Sequence, residues 1–182
     1  MVARDRRCVA GGCEKGGSLV ARSLRGRSGS RIHLAVDAGG APFAIRISAG
    51  NENERRHLVP LVEELFARGV RPSQLWADRG YDSETIREQL RVRGVEPMIS
   101  KRRRSGDPLP PGTRFVHRGR RLQPKSPDPL GRNRWQIERT HSWLQNWRRV
   151  ATRWERRPEL WLAVIQTAAA LTIHQMLERS FC

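Results

Sequence analysis

The 182-residue sequence has few cysteines, and it begins without a long hydrophobic run. Cys8, Cys13 and Cys182 are odd in number and lack zinc-ribbon spacing. The sequence therefore supports neither a disulfide framework nor a structural zinc site, and a reducing cytoplasm is the expected compartment. The opening residues MVARDRRCVAGG contain no apolar core of a signal peptide. Residues 160–173 are apolar but shorter than the roughly 20 residues that span a bilayer, so they predict a buried core helix and no membrane partner.

Acidic side chains are also scarce relative to basic ones. The chain has 35 Lys and Arg against 18 Asp and Glu, a net charge of +17 and a pI near 11.6. So many positive charges repel one another unless a polyanion binds and neutralises them, so nucleic acid is the expected partner. Only three of the basic residues are lysines, and arginine is suited to bidentate phosphate binding and to stacking on bases. A GC-rich genome would also explain the choice of arginine over lysine, but it would not explain the surplus.

The order of the apolar patterns predicts a mixed α/β fold. A short strand is expected at the very N-terminus, and alternating apolar residues on either side of a turn at residues 37–40 predict a β-hairpin. An i, i+3, i+4, i+7 stripe predicts an amphipathic helix over residues 57–68. The patterns that follow predict a buried strand at Gln74–Ala77, a helix over residues 84–93 and a strand over residues 95–99.

The second half combines a basic irregular segment with two helices. Residues 101–132 are rich in Pro, Gly and Arg, which cannot sustain a helix or a central strand, so they predict an exposed loop. Residues 101–134 hold 11 Lys and Arg against 2 Asp, about half of the net charge. Helices are expected over residues 133–148 and 158–177. The length fits one domain spanning residues 1–182.

Two carboxylates stand where a nuclease could use them. Asp78 follows the predicted strand Gln74–Ala77, and a side chain at the C-terminal end of a strand can reach the crevice where ligands bind. It could instead cap the following turn. Glu138 lies on the helical face that carries Arg134, and an i−4 ion pair with that arginine is the plain alternative. From its position alone, Asp78 is slightly better explained as a turn cap, and Glu138 as the partner of Arg134 in a surface ion pair.

The strings around these residues are more specific than the residues themselves. LWADRGYDSETI and, further on, RWQIERTHSWLQNWRR resemble the second and third catalytic motifs of bacterial insertion-sequence transposases of the insertion-sequence-five group, in the RNase H-like DDE superfamily. The resemblance extends to KGGSL, HLAVDAGGAPFAIRISAGN and TRWERRPELWLAVIQTAAALTIH, so it covers nearly the whole chain. It implies an RNase H-like mixed sheet flanked by helices, with the basic loop before the glutamate helix.

The resemblance assigns three carboxylates. Asp78 matches the second catalytic aspartate of the family, and Glu138 matches the catalytic glutamate. The first aspartate ends the first strand, in a segment of the form apolar-Asp-x-x-x-Val-Arg-Ala shortly before Lys-Gly-Gly. Asp5 is the candidate, with two arginines in place of the small residues that usually follow. Asp37 is the rival, although turn chemistry accounts for an aspartate in the hairpin turn.

The resemblance implies metal-dependent DNA strand cleavage and strand transfer at the ends of an insertion sequence. Three carboxylates hold two divalent ions, which activate the attacking oxygen and stabilise the leaving oxygen during in-line attack on a phosphodiester. Oxygen ligands favour Mg²⁺ or Mn²⁺, so Asp5, Asp78 and Glu138 are the expected catalytic and metal-binding residues. The implied partners are DNA, as terminal inverted repeats and target, and a second copy of the chain, at the nucleoid of the bacterial cytoplasm.

Arginines near these motifs are the expected DNA-binding residues. Arg134 and Arg139 flank Glu138 and could contact neighbouring phosphates, although surface ion pairs are the alternative. Trp143 and Trp147, at i and i+4, could stack on unpaired bases, but core packing is the favoured interpretation. The predicted DNA-binding set is Arg102, Arg103, Arg104, Arg134, Arg139, Arg148 and Arg149.

Two other functions stay open at the level of sequence. Family members carry a helical DNA-end-binding region before the first strand, whereas here that strand is expected almost at residue 1. A frameshifted second reading frame and a decayed copy both fit, so the chain could be a catalytically impaired remnant that occupies transposon ends or regulates transposition. It could also be an RNase H-like nuclease that cleaves RNA or structured DNA without strand transfer.

Overall fold

The computed structural model describes residues 2–9, 18–22, 28–101, 115–118, 121–124 and 133–181, with the backbone alone for residues 2–9, 22, 28, 116–118, 121–124, 180 and 181. The predicted DNA contacts Arg102, Arg103 and Arg104 lie outside the described residues. The strands are β1 (Val2–Val9), β2 (Ala21–Arg22), β3 (Ser28–Val36), β4 (Pro42–Ala49), β5 (Gln74–Ala77), β6 (Glu96–Ile99), β7 (Phe115–Arg118) and β8 (Arg121–Pro124). The helices are α1 (Arg55–Ala67), α2 (Glu84–Val92), α3 (Arg134–Gln145), α4 (Arg148–Ala151) and α5 (Pro158–Phe181), and a 3₁₀ turn covers Arg79–Tyr81.

Within the described part, six strands form one mixed sheet. β3 pairs antiparallel with β1, with β4 and with the two-residue β2. β1 pairs in parallel with β5, and β5 pairs in parallel with β6. The order across the sheet is β4–β3–β1–β5–β6, which confirms the predicted mixed α/β class.

Apolar side chains pack on both faces of this sheet. On one face, Ile32 and Leu34 of β3 pack with Ile137 of α3 and Trp161 of α5. On the other face, Ala35 of β3 packs in a cluster with residues of α1 and α2. Successive residues of β3 therefore enter opposite clusters, as the period of two in a strand requires. The sheet lies between α1 and α2 on one side and α3 and α5 on the other.

Several boundaries differ from the predicted ones. β1 is longer than the short strand expected at the N-terminus, because it pairs with β3 along its whole length. The helix predicted over residues 133–148 ends at Gln145, and Trp147 has extended backbone before α4 begins. The segment at residues 101–132, predicted as an exposed loop without a helix or a central strand, contains the two-stranded sheet β7–β8, which was not predicted. Its one proline within a strand, Pro124, stands at the end of β8, where the ladder tolerates it.

Helix α5 is longer than the apolar run that predicted it. In the described part of the chain it is the helix that is long and apolar enough to cross a membrane, by length and composition alone. Trp161 and Ile165 are nevertheless buried in the core with β3 and α3. Leu160, Leu171 and Leu177 are exposed. The predicted core helix is therefore confirmed for one face, whereas the other face keeps apolar side chains at the surface.

Candidate functional site

Asp78 lies directly after β5, at the C-terminal end of the strand. Its backbone is extended, and its Oδ1 accepts a hydrogen bond of 2.8 Å from the amide of Arg79. Asp78 therefore caps the 3₁₀ turn, as the structural interpretation predicted. This cap occupies one carboxylate oxygen, and the side chain is 37% exposed, so a ligand can still reach the carboxylate.

Helix α3 brings the glutamate motif to the strand motif. Arg134, in the first turn of α3, places its Nη2 atom 3.7 Å from Oδ1 of Asp78. Glu138 follows Arg134 by four residues, which is the spacing of side chains on one helical face. The Glu138 side chain is half-buried. Two motifs that are far apart in the sequence thus meet at the end of β5.

The turn between β3 and β4 fixes the position of α3. Gln136, Arg139 and Thr140 donate hydrogen bonds to the successive carbonyls of residues 38–40, with a distance of 3.0 Å for the Gln136 bond. Gly40 in this turn has a φ of +86°, and a Cβ there would lie 3.0 Å from Arg139 Nη2 and from Thr140 Oγ1. Glycine therefore permits both the turn conformation and the close approach of the helix. Glu138 lies between the residues that make these bonds.

The rival aspartate, Asp37, lies in the same turn. Its Oδ1 accepts a hydrogen bond of 2.8 Å from the amide of Ala41. Its backbone carbonyl accepts another, of 3.2 Å, from the amide of Gly40. The Asp37 carboxylate stabilises the hairpin turn, in agreement with turn chemistry.

The backbone register places Asp5 next to the strand that leads to Asp78. β1 and β5 pair through Val2 with Trp76 and through Ala3 with Ala77. Asp5 thus follows the last paired residue of β1 by two positions, and Asp78 follows that of β5 by one. The side chain of Asp5 lies outside the described part. Among the side chains that are described, no three His, Cys, Asp or Glu residues form a metal-binding group.

A buried polar network, which sequence reasoning missed, supports the turn after Asp78. The hydroxyl of Tyr81 lies 3.0 Å from Nδ1 of His33, and Nε2 of His33 lies 2.9 Å from Oγ of Ser48. His33 and Tyr81 are almost completely buried. The His33 ring also stacks on His57, with 4.3 Å between centroids.

Burial, followed by the neighbouring charge of His57, lowers the pKa of His33 to about 3. Burial likewise lowers the pKa of His57. A neutral imidazole offers one donor and one acceptor, which suits two hydroxyl partners. The sequence offers one signal for this network. His33 is a polar residue two positions before Ala35 on β3, so the two side chains share one buried face of the strand.

Two further contacts hold the segment that contains Tyr81. A Cβ on Gly80 would clash with the carboxylate of Glu54, so the glycine lets Glu54 approach the turn. Asp82 accepts hydrogen bonds of 2.7 and 3.1 Å from Arg87, which also donates to the carbonyl of Ile99 at 2.7 Å. The residues after Asp78 therefore contact Glu54 at the start of α1, Arg87 of α2 and, through Arg87, the end of β6.

The predicted DNA-binding arginines of the described part have different surroundings. The guanidinium of Arg139 lies 4.5 Å from the ring centroid of Trp135 and 4.6 Å from that of Trp143. Arg149 pairs with Glu155, at 2.9 Å from Nε to Oε1, and Arg148 is exposed.

Trp143 and Trp147 both lie outside the two core clusters, so the favoured prediction of core packing for them is wrong. They line a cavity between the end of α3 and α5.

The donor chemistry at the end of β5 fits a hard divalent cation. Asp78 offers carboxylate oxygens there, the ligand type that Mg²⁺ and Mn²⁺ prefer, and Glu138 is a second carboxylate, on the helix whose first turn contacts Asp78. The Arg134 guanidinium beside Asp78 offers donors for a phosphate oxygen. A carboxylate next to an arginine can serve a reaction at a phosphodiester.

Known proteins of similar sequence support the resemblance found in the motifs. Residues 13–173 match the family described as "Transposase DDE domain". A protein of Burkholderia cepacia named "Putative transposase for insertion sequence element IS402" is 36% identical over 163 residues, which cover 86% of this chain and 68% of that protein. The resemblance to insertion-sequence transposases in the sequence motifs is thereby confirmed. The chain belongs to the transposase DDE domain family.

Proposed function

We propose that the chain is the catalytic domain of a transposase, which cleaves DNA strands at the ends of an insertion sequence and joins them to target DNA. The observation that carries this proposal is the 3.7 Å contact between Arg134 and Asp78, which joins the glutamate motif on α3 to the aspartate motif after β5. Membership of the transposase DDE domain family and the name of the B. cepacia relative support the same activity. The net charge of +17 suits a DNA substrate.

An RNase H-like scaffold over residues 1–182 is part of the proposal. Support comes from the strand order β4–β3–β1–β5–β6, in which β1 is antiparallel to β3 and parallel to β5. Helices on both faces of the sheet agree with it. In this arrangement Asp5 and Asp78 follow the paired parts of adjacent parallel strands, and Glu138 reaches the same edge from α3.

Asp5, Asp78 and Glu138 are the proposed ligands for Mg²⁺ or Mn²⁺. When bound, these ions supply activation of the attacking oxygen and stabilisation of the leaving oxygen. Asp78 is oriented for this role by its bond to the Arg79 amide, which fixes one carboxylate oxygen. The Tyr81–His33 hydrogen bond holds the turn that follows, so the site is arranged before DNA binds.

Arg134 has the proposed role of binding the phosphate next to the scissile bond. Its guanidinium balances the charge of Asp78 and carries donors that match phosphate oxygens in geometry. Arg148 is proposed to bind the DNA backbone from its exposed position at the start of α4.

The test is cleavage of a duplex that carries the terminal repeat, with Mg²⁺ or Mn²⁺, by the wild type and by Asp5→Asn, Asp78→Asn and Glu138→Gln. Each substitution keeps the shape of the side chain and removes its charge, so cleavage should fall by on the order of 10³-fold while DNA binding persists. Glu84→Gln is the matched control, because Glu84 is an exposed acid on α2. Cleavage by Asp78→Asn or Glu138→Gln at the wild-type rate would contradict the proposal.

The same assay separates the alternative functions. A wild-type chain that binds the terminal repeat and does not cut it with either metal is an impaired remnant or regulator. Cleavage without joining of the 3′-hydroxyl to a second duplex indicates a nuclease.

A further inference from the structure

A row of aromatic and cationic side chains runs along α3, from the turn before Glu138 to beyond the end of the helix. We call Trp135, Arg139, Trp143 and Trp147 the tryptophan stripe. The first three are spaced four residues apart on one helical face, and the Arg139 guanidinium lies between two indoles, 4.5 Å and 4.6 Å from their centroids. Trp147 follows at the same spacing, just after the helix ends. Trp135 is 53% exposed, so a large indole surface faces outward.

The far end of the tryptophan stripe opens into a cavity of about 460 Å³ between α3 and α5. Trp143 and Trp147 line it together with the polar side chains of Asn146, Gln175 and Arg179. Indole faces stack on bases, carboxamides pair with base edges, and an arginine binds phosphate. The cavity thus offers the groups that recognise a nucleotide.

We propose that the tryptophan stripe binds the unpaired bases of a DNA strand next to the cleavage site. This inference rests on the proposed function, because it places the strand beside Glu138. The five residues from Glu138 to Trp143 rise about 7.5 Å along the helix, a length of about two stacked nucleotides. Stacking tolerates any base, because every base has a π-face.

Charge favours DNA over a second copy of the chain as the occupant. The chain carries a net charge of +17, so two copies repel one another, whereas a DNA strand is attracted. The stripe contains Arg139, and Arg179 lines the cavity at its end. The stripe is also continuous with the helix that carries Glu138, where the DNA is expected to lie.

The experiment compares binding of two terminal-repeat duplexes, one blunt and one with a short single-stranded extension, at constant salt and without divalent metal. Wild type should bind the extended duplex more tightly. Trp135→Ala and Trp147→Ala should each reduce that preference by about tenfold, the effect of one lost stacking contact. Trp147→Phe should retain most of the preference, because phenylalanine still stacks.

Trp154→Ala is the matched control, since Trp154 is 51% exposed and lies outside the stripe. Equal binding of both duplexes by the wild type would overturn the inference, and so would an equal loss in Trp154→Ala. A change in sedimentation of the stripe variants, with DNA preference unaltered, would overturn it in favour of self-association. Binding needs no cleavage here, so a preference for the extended duplex in a chain that never cuts would contradict the proposed function alone.

Discussion

The Tyr81 hydroxyl connects the turn after Asp78 to the centre of the sheet. It meets His33, which stands on β3 at the register position opposite Asp5. Asp78 is three residues before Tyr81 and shares its turn, through a bond of 3.0 Å from the Tyr81 amide to the Asp78 carbonyl. One buried hydrogen bond therefore links the turn after Asp78 to β3, the strand that pairs with β1 at the level of Asp5.

Tyr81→Phe should weaken this connection. The substitution removes the hydroxyl and leaves Nδ1 of the buried His33 without that partner, which should lower the free energy of unfolding by about 1–3 kcal/mol. Urea denaturation measures the change, and the cleavage rate should fall as well, because the turn that orients Asp78 loosens. Thr167→Ala is the control, since it removes an exposed hydroxyl on α5 and should change stability by less than about 0.5 kcal/mol. Unchanged stability in Tyr81→Phe would contradict the role assigned to the hydroxyl.

The buried His33 should make the stability of the protein depend on pH. Its pKa is about 3 in the folded chain, because of burial and of the neighbouring His57, against 6.5 for an exposed histidine. Between these values the unfolded chain binds a proton that the folded chain does not. The contribution of His33 to the free energy of unfolding should therefore be fully present above pH 6.5. It should decrease as the pH falls below 6.5, by up to about 1.4 kcal/mol per pH unit.

Stability measured from pH 7.5 down to pH 4.5 checks this expectation. His33→Gln should flatten the dependence, whereas His174→Gln, which changes an exposed histidine on α5, should leave it as in the wild type. His57 adds to the decrease in the same direction, because burial lowers its pKa too. A wild-type stability that rises below pH 6 would show that His33 is charged in the folded protein.

Among the elements, α3 is the one whose placement decides the geometry of the site. Its contact with the β3–β4 turn relies on Gly40, so Gly40→Ala should shift the helix and lower both stability and cleavage. Gly69→Ala is the matched control: its φ of +77° imposes the same conformational strain, but nothing lies within 4 Å of the added Cβ. Both should cost about 1–2 kcal/mol from strain. Gly40→Ala should cost more, and it alone should reduce cleavage at saturating DNA.

Elements with a strong local period could be predicted from the sequence. The strand Gln74–Ala77 and helices α1 and α2 agree with prediction to within about two residues, because each buries one regular face. β1 was expected to be short because RDRRC shows no apolar alternation. The strand is long because it pairs with β3, which no local pattern indicates. The break after Gln145 and the β7–β8 hairpin were also missed.

The candidate site could be predicted only in part, and for a related reason. Asp78 and Glu138 are candidates from the sequence because each lies within a recognisable string. The hydrogen bonds from α3 to residues 38–40 and the Tyr81–His33 pair join residues that are distant in the sequence. No local sequence pattern predicts such contacts, because they form only when the sheet and the helices pack together.

For the whole molecule, the charge of +17 should dominate the affinity for DNA. Affinity for duplex should fall by about 10³-fold or more between 50 and 200 mM salt, if about six or more phosphates are contacted. Arg148→Gln should reduce the slope of log affinity against log salt by about 1. Arg91→Gln should leave the slope unchanged, because this exposed arginine is on α2, on the face of the sheet opposite α3. Affinity that does not vary with salt would contradict phosphate binding as the main contact.

The metal preference of Asp78→Cys tests the claim that Asp78 is a metal ligand of a DNA-cleaving site. A thiolate is a poor ligand for Mg²⁺ and a better one for the softer Mn²⁺. We expect Asp78→Cys to cut terminal-repeat DNA with Mn²⁺ and not with Mg²⁺, whereas the wild type cuts with both. Equal cleavage by the variant with the two metals would contradict the claim.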